Sequence, residues 1–125
     1  MNIPENLKYA VSHEWVKVDG NEAVIGITDY AQSQLGDIVF VDIDCDGETL
    51  LKEETFCSIE AVKTVADVIM PIGGTILEVN PDVRDASDVI NKDPYGEGWL
   101  IKIKITNPAE VNGLMDAAAY AELLH

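Results

Sequence analysis

The sequence predicts a mostly β fold, a sandwich or barrel of short strands, with one short internal helix and a helix at the C-terminus. Three observations favour it. Short apolar segments rich in β-branched residues recur, turn residues separate them, and the last segment begins with a helix-capping pattern. The length of 125 residues suits one compact domain, and no linker or low-complexity segment divides residues 1–125. We therefore expect a single domain.

The N-terminal part predicts a β-hairpin followed by a helix. Residues 16–18 and 23–27 are strand-like, and Asp19-Gly20 between them is typical of a hairpin turn. Thr28 is a good helix-capping residue and Gly36 a good helix-ending one. A short helix between them is therefore predicted.

The middle of the chain predicts a run of strands. Residues 37–44 alternate with apolar side chains pointing both ways, which indicates a strand buried on much of both faces. Residues 55–62 and 65–70 predict two strands flanking Lys63-Thr64, and residues 75–79 predict another.

The C-terminal part predicts a connection, a strand and two helices. Residues 80–98 are rich in Pro, Asp, Asn and Gly and predict a long loop, whereas residues 99–105 predict a strand with Trp99 in the core. The segment Asn107-Pro108-Ala109-Glu110 is a helix-start pattern, and Asp116 is placed to cap a second helix.

The composition excludes several classes of function. Twenty-three acidic and 8 basic residues give a net charge of −15, which disfavours nucleic-acid and membrane partners. Cys45 and Cys57 form no CxxC motif, so we expect reduced core thiols and no metal site. The sequence lacks a membrane-length apolar run and a signal-peptide pattern. We expect a cytoplasmic protein, or a mitochondrial-matrix one if a presequence has been removed.

The segment 56–71 is the one that indicates chemistry. Lys63 lies between two apolar strands and is the only cation between Lys52 and Arg84. A lysine at a hairpin tip is held away from the body, so a modifying enzyme can reach its amine, and acylation turns it into a flexible arm. From spacing alone, an ordinary solvated turn lysine is the simpler interpretation.

The hairpin resembles the lipoyl-lysine hairpin of glycine cleavage H proteins, whose usual form is Glu-Ser-Val-Lys-Ala followed closely by Asp. Here Lys63 is preceded by Glu60, Ala61 and Val62 and followed by Thr64, and Asp67 lies four residues after the lysine. Ala61 and Thr64 depart from the usual Ser and Ala. The remaining blocks that resemble the family lie in order along the chain, at residues 7–16, 26–32, 35–41 and 91–99.

This resemblance implies a barrel-sandwich hybrid of two small antiparallel sheets, like a lipoyl domain, with the lipoyl hairpin at about residues 55–71. It also implies a non-catalytic shuttle that carries (R)-lipoate on Lys63. In the family, a pyridoxal-phosphate decarboxylase (the P protein) loads an aminomethyl group, and a tetrahydrofolate-dependent aminomethyltransferase (the T protein) removes it. Dihydrolipoamide dehydrogenase (the L protein) then reoxidises the dithiol. A lipoate ligase, or an octanoyltransferase with lipoyl synthase, would attach the cofactor, and we expect a monomer.

The resemblance also assigns roles to four side chains around the arm. Ser12, Glu14 and Asp67 match residues that line the cleft where the loaded arm docks, and Glu60 is a candidate for recognition by the lipoylating enzyme. Some family members have a His at the position of Gln34. Each residue also has a simpler interpretation: a turn residue for Ser12, solvated strand acids for Glu14 and Asp67, and part of the acidic surface for Glu60.

Other functions fit the sequence less well. A biotin carrier would usually place Met on both sides of the lysine, and a lipoyl domain of a 2-oxoacid dehydrogenase typically has Asp before it, where this chain has Val62. No Ser/His/Asp set, metal cluster or phosphate loop predicts an enzyme. An H-like lipoate-relay protein, which passes lipoyl groups to other acceptors, remains an alternative.

Overall fold

The computed structural model describes residues 1–124, which form nine β-strands, four short α-helices and one 3-10 helix. The strands are β1 Lys8–Tyr9, β2 Glu14–Asp19, β3 Glu22–Ile27, β4 Ile38–Asp42, β5 Thr49–Leu50, β6 Thr55–Ala61, β7 Val65–Ile69, β8 Gly74–Val79 and β9 Ile101–Ile105. The helices are α1 Asp29–Leu35, α2 Pro81–Asp85, α3 Val89–Lys92, the 3-10 helix Pro108–Gly113 and α4 Ala117–Leu123.

The strands form two antiparallel sheets around a main apolar core. The larger sheet has six strands in the order β1-β2-β3-β9-β8-β5, and the smaller has three in the order β4-β6-β7. Buried aliphatic residues from both sheets, such as Ile25, Ile59 and Ile103, belong to the same core cluster. The predicted mostly β class with two antiparallel sheets, an internal helix and a C-terminal helix is therefore confirmed.

The predicted N-terminal elements form as expected. Gly20 has φ 64° in the hairpin turn between β2 and β3. Thr28 caps α1, its hydroxyl oxygen accepting a hydrogen bond from Ala31 N at 3.2 Å. Gly36 ends the helix with φ 78°, a conformation that glycine adopts without steric cost.

The prediction that residues 37–44 form a strand buried on much of both faces is wrong. A β-bulge between Ile38 and Phe40 shifts the register of β4 against β6. Ile38 and Val41 are consequently buried, whereas Val39 and Phe40 are exposed. The bulge therefore turns two large apolar side chains outward on the smaller sheet.

The prediction of an irregular connection over residues 80–98 is also wrong, because α2 and α3 lie within it. Asn80 caps α2 by accepting a hydrogen bond from Asp82 N at 3.0 Å, and its Nδ2 donates to the carbonyl oxygens of Glu97 and Trp99. Trp99 itself is half-buried and precedes β9, while Leu100 is fully buried in its place.

The C-terminal segment packs α4 against the start of the larger sheet. Asp116 caps α4 as predicted, whereas Asn107 caps a 3-10 helix rather than an α-helix. The rings of Tyr9 and Tyr120 stack with centroids 4.7 Å apart, and Trp15 belongs to the same buried cluster. This packing brings Tyr120 next to the loop that precedes β2.

Two further expectations concern the chain as a whole. Cys45 and Cys57 are free and buried, as predicted. Within residues 1–124, no helix has the length and apolar character needed to cross a membrane.

Candidate functional site

The tip of the β6–β7 hairpin carries Lys63 on the surface. Ala61 N donates a hydrogen bond to Thr64 O at 2.8 Å across the turn, and Val62 N donates to Asp37 O at 2.9 Å. The second bond ties the tip to the residue just before β4. The hairpin therefore holds the exposed Lys63 at a fixed place on the molecule.

The Lys63 side chain rests on the end of α1. We expected it to project away from the body of the protein, and in the structure it does not. A Cβ built on Gly36 would lie 3.3 Å from Lys63 Cε and 3.7 Å from its Nζ. Gly36 directly follows Leu35, which lines the neighbouring cleft. The base of any group attached to Lys63 thus starts beside the rim of that cleft.

A cleft of about 250 Å³ lies between α1, the loop before β2 and the strand β7. Its lining residues are Ser12, His13, Glu14, Ile27, Tyr30, Ala31, Gln34, Leu35, Ala66, Asp67 and Val68. The fold therefore brings together Ser12, Glu14 and Asp67, from segments more than 50 residues apart in sequence. Glu60 is exposed on β6 and does not line this cleft.

Glu14 is the buried acid of the cleft. Its residue is only 3% exposed, so the simpler interpretation of a solvated strand acid is wrong. Ser12 Oγ donates a hydrogen bond of 2.5 Å to Glu14 Oε1. Burial raises the pKa of Glu14 from 4.5 to about 7, although the Ser12 hydrogen bond acts in the opposite direction. Asp67, in contrast, is exposed at the rim.

His13 connects the two walls of the cleft through Tyr120. Its Nδ1 lies 2.8 Å from the Tyr120 hydroxyl, which is also 2.7 Å from the Oγ1 of Thr28, the cap of α1. The His13 ring packs against Tyr30 at 4.8 Å between centroids. Burial lowers the pKa of His13, which favours its neutral form. His13 is therefore a packing and hydrogen-bonding residue at this position.

The sequence reasoning missed the part played by Tyr120. Its hydroxyl links α4, α1 and the loop before β2. A buried tyrosine usually needs a hydrogen-bond partner, which was the available signal. Which partner it takes depends on the tertiary fold.

The residues present fit a covalently attached acyl group better than a metal ion. Within residues 1–124, no group of three or more His, Cys, Asp or Glu side chains is placed to hold a metal. An exposed amine at Lys63 lies beside a cleft that is mainly apolar but contains the carboxylates of Glu14 and Asp67. Such a cleft suits a short apolar chain that ends in a cationic group.

Comparisons with known proteins agree with one another. The family model described as "Glycine cleavage H-protein" matches residues 7–125. The glycine cleavage system H protein of Bacteroides fragilis is 51% identical over 125 residues, covering 100% of this chain and 99% of that protein. The Chlorobium limicola protein of the same name is 55% identical over 126 residues, covering 99% and 98%.

A solved structure gives the same result. The crystal structure of a glycine cleavage system H protein from Mycobacterium marinum superimposes with a TM-score of 0.88 at 38% identity. The match covers 96% of this chain and 97% of that chain. Both the sequence likeness and the structural likeness therefore extend over nearly the whole chain.

Proposed function

Because the chain belongs to the glycine cleavage H-protein family, we propose that Lys63 is the residue through which it performs the carrier role of that family. Proteins of this family are lipoyl carriers of the glycine cleavage system and not catalysts, and this chain is such a carrier. It works with the other components of that system. We propose which residue is lipoylated, which residues line the docking cleft and which individual partners bind.

The position of Lys63 supports its assignment as the lipoylated residue. It is the only basic residue between Lys52 and Arg84, its side chain is exposed, and backbone hydrogen bonds fix the hairpin beneath it. An attached lipoyl group supplies the disulfide that is reduced when the aminomethyl group is taken up. The protein contributes a defined starting point for the arm and a cleft beside it.

The cleft lies within reach of such an arm. Asp67 is four residues beyond Lys63 on an extended strand, so their Cα atoms are at most about 14 Å apart. A lysine extended by an eight-carbon acyl chain also reaches on the order of 14 Å. We propose that Ser12, Glu14 and Asp67 receive the end of the arm when it carries the aminomethyl group.

Charge supports this use of the cleft. An aminomethyl nitrogen is cationic, and the carboxylates of Glu14 and Asp67 are its natural contacts. A cation next to Glu14 would favour the ionised form, so docking would release a proton from a group whose pKa is about 7. Ser12 would hold the carboxylate in place through its hydrogen bond. The buried position also keeps water away from the docked group.

The partners are the P, T and L proteins, together with a lipoate ligase or an octanoyltransferase and lipoyl synthase. Glu60, exposed three residues before Lys63, is proposed to contact the lipoylating enzyme. We propose a single carrier domain over residues 1–125 that acts as a monomer in the cytoplasm, a location that the bacterial relatives favour.

The attachment site is tested by intact mass after expression with lipoate. The wild-type chain is expected to gain the mass of one lipoyl amide, and Lys63→Arg is expected to gain none, because arginine keeps the charge but cannot form the amide. Lys52→Arg, at another exposed lysine, is the matched control and should be modified fully. Full modification of Lys63→Arg would show that the arm is attached elsewhere.

The cleft is tested by the lifetime of the aminomethyl-loaded protein. Glu14→Gln combined with Asp67→Asn should shorten that lifetime several-fold without slowing lipoylation, because the cation loses both carboxylates. Asp42→Asn, which neutralises an exposed acid outside the cleft, is the control. An unchanged lifetime would contradict the cleft assignment. Lipoylated protein that supports no glycine–bicarbonate exchange with the P protein, yet passes its lipoyl group to another acceptor, would indicate a relay.

A further inference from the structure

The outer face of the smaller sheet carries an exposed apolar patch around the hairpin tip. Phe40 pairs with Glu60, and Glu60 pairs with Val65, so these three side chains form one row across β4, β6 and β7. The bulge in β4 adds Val39, and the tip adds Val62. The four apolar residues, which we call the collar, are exposed by 56% (Val39), 52% (Phe40), 74% (Val62) and 60% (Val65).

A cluster of apolar side chains with this much exposure requires a physical explanation. Single exposed apolar residues are ordinary, but contiguous patches mark contact surfaces. The bulge is the feature that turns Val39 and Phe40 outward, and bulges often re-aim side chains next to functional sites. Val62 directly precedes Lys63 and Val65 follows it by two residues, so a partner that covers these two collar residues also covers the base of Lys63.

The length of the lysine side chain indicates which kind of partner must contact the collar. An enzyme that acylates Nζ must bring its active site within about 6 Å of the Lys63 Cα, since a lysine side chain extends no farther. At that distance its surface must press on Val62 and Val65. A partner that reacts with the far end of a lipoyl arm meets the group on the order of 14 Å away and does not need this contact.

The charges around the collar describe the surface that fits it. The strands β4, β6 and β7 contain three carboxylates, Asp42, Glu60 and Asp67, and no basic residue. Glu60 stands in the middle of the row between Phe40 and Val65. A complementary surface has an apolar recess with lysine or arginine side chains at its centre and rim.

We propose that the collar is the docking surface for the enzyme that forms the amide at Lys63, with an apolar recess flanked by basic side chains. This inference rests on the proposed attachment at Lys63. Glu60 acts within the collar as its charged contact. The partners that react with the loaded arm dock without depending on the collar.

The test measures lipoylation and glycine cleavage separately. Unmodified wild-type chain and the double variant Phe40→Thr/Val65→Thr are given lipoate ligase, ATP and lipoate, and kcat/KM is followed by intact mass. Threonine is β-branched and therefore suits a strand position at both sites. The control is Val18→Thr/Leu77→Thr, which removes two exposed apolar residues from the larger sheet. Val62→Thr changes the most exposed collar position and serves as a second variant in case the double variant folds poorly.

We expect kcat/KM for lipoylation to fall about tenfold or more in the collar double variant and severalfold in Val62→Thr, with the control near wild type. After exhaustive lipoylation, the collar variant should support glycine–bicarbonate exchange within about twofold of wild type. Equal lipoylation rates for the collar and control variants would overturn the proposal, as would a parallel loss of exchange. Failure of the wild-type chain to be modified at Lys63 would instead refute the attachment site itself.

Discussion

Replacing Glu14 by Gln should stabilise the protein at neutral pH, because the structure buries this carboxylate at a cost. Burial raises its pKa from 4.5 to about 7 in the folded state. At 1.36 kcal/mol per pH unit, this difference corresponds to about 3 kcal/mol of unfavourable free energy once the group is ionised. Glutamine has a similar shape and can still accept the Ser12 hydrogen bond, but it carries no charge.

The direction in which stability changes with pH follows from proton binding in the folded and unfolded states. Between pH 4.5 and about 7, the folded protein keeps the Glu14 proton that the unfolded chain releases, so wild-type stability falls as the pH rises through this window. Below the window both states are protonated, and above it both are ionised, so the contribution is level on either side. The stabilisation by Gln should therefore be small at pH 4.5 and reach its full size, up to about 3 kcal/mol, near pH 8.

The assay is urea unfolding of unmodified wild type and Glu14→Gln at pH 4.5, 6 and 8. Every other titrating group is the same in both proteins, so the difference in unfolding free energy isolates Glu14. Glu60→Gln, at an exposed carboxylate, is the matched control and should change stability by less than about 0.5 kcal/mol at each pH. If the curves for wild type and Glu14→Gln run parallel from pH 4.5 to 8, the argument from burial is wrong.

Two further predictions concern the packing that positions the cleft. Tyr120→Phe removes the hydroxyl that bonds His13 and Thr28. We expect the unfolding free energy, measured in urea, to fall by about 1–3 kcal/mol, because Thr28 loses a buried hydrogen bond and His13 a partly buried one. Gly26→Ala places a Cβ 2.7 Å from the indole ring of the buried Trp15, and it should cost about 1–3 kcal/mol in the same assay. Unfolding midpoints equal to wild type would contradict either argument.

The elements that local chemistry controls were predictable from the sequence. The α1 helix begins after Thr28 and ends at Gly36 as expected, and Asp116 caps α4. Such caps and glycine turns depend on neighbouring backbone groups. The α2 helix was missed although Asn80-Pro81 repeats the Asn107-Pro108 pattern that predicted a later helix. The surrounding Asp, Asn and Gly residues outweighed that signal, and α2 has only five residues.

The bulge in β4 shows why features that depend on the tertiary fold were not predictable from the sequence. Alternation along residues 37–44 assumes one residue per pairing step, and the extra residue at Val39 breaks that assumption without any local marker. The same is true of the cleft. Resemblance to a family singled out Ser12, Glu14 and Asp67, but the burial of Glu14 and its high pKa arise only when α1 and β7 close around it.

The residues 12–14 carry two costs that the rest of the cleft does not. His13 has φ 72°, an unfavourable conformation for a residue with a Cβ, and Glu14 is a buried acid. The hydrogen bond of His13 to Tyr120 and that of Ser12 to Glu14 hold the segment in this state. Strain and buried charge in consecutive residues are expected where binding outweighs stability. If neutralising Glu14 stabilises the fold, the carboxylate does not contribute to folding, a result that would support its proposed contact with the aminomethyl cation.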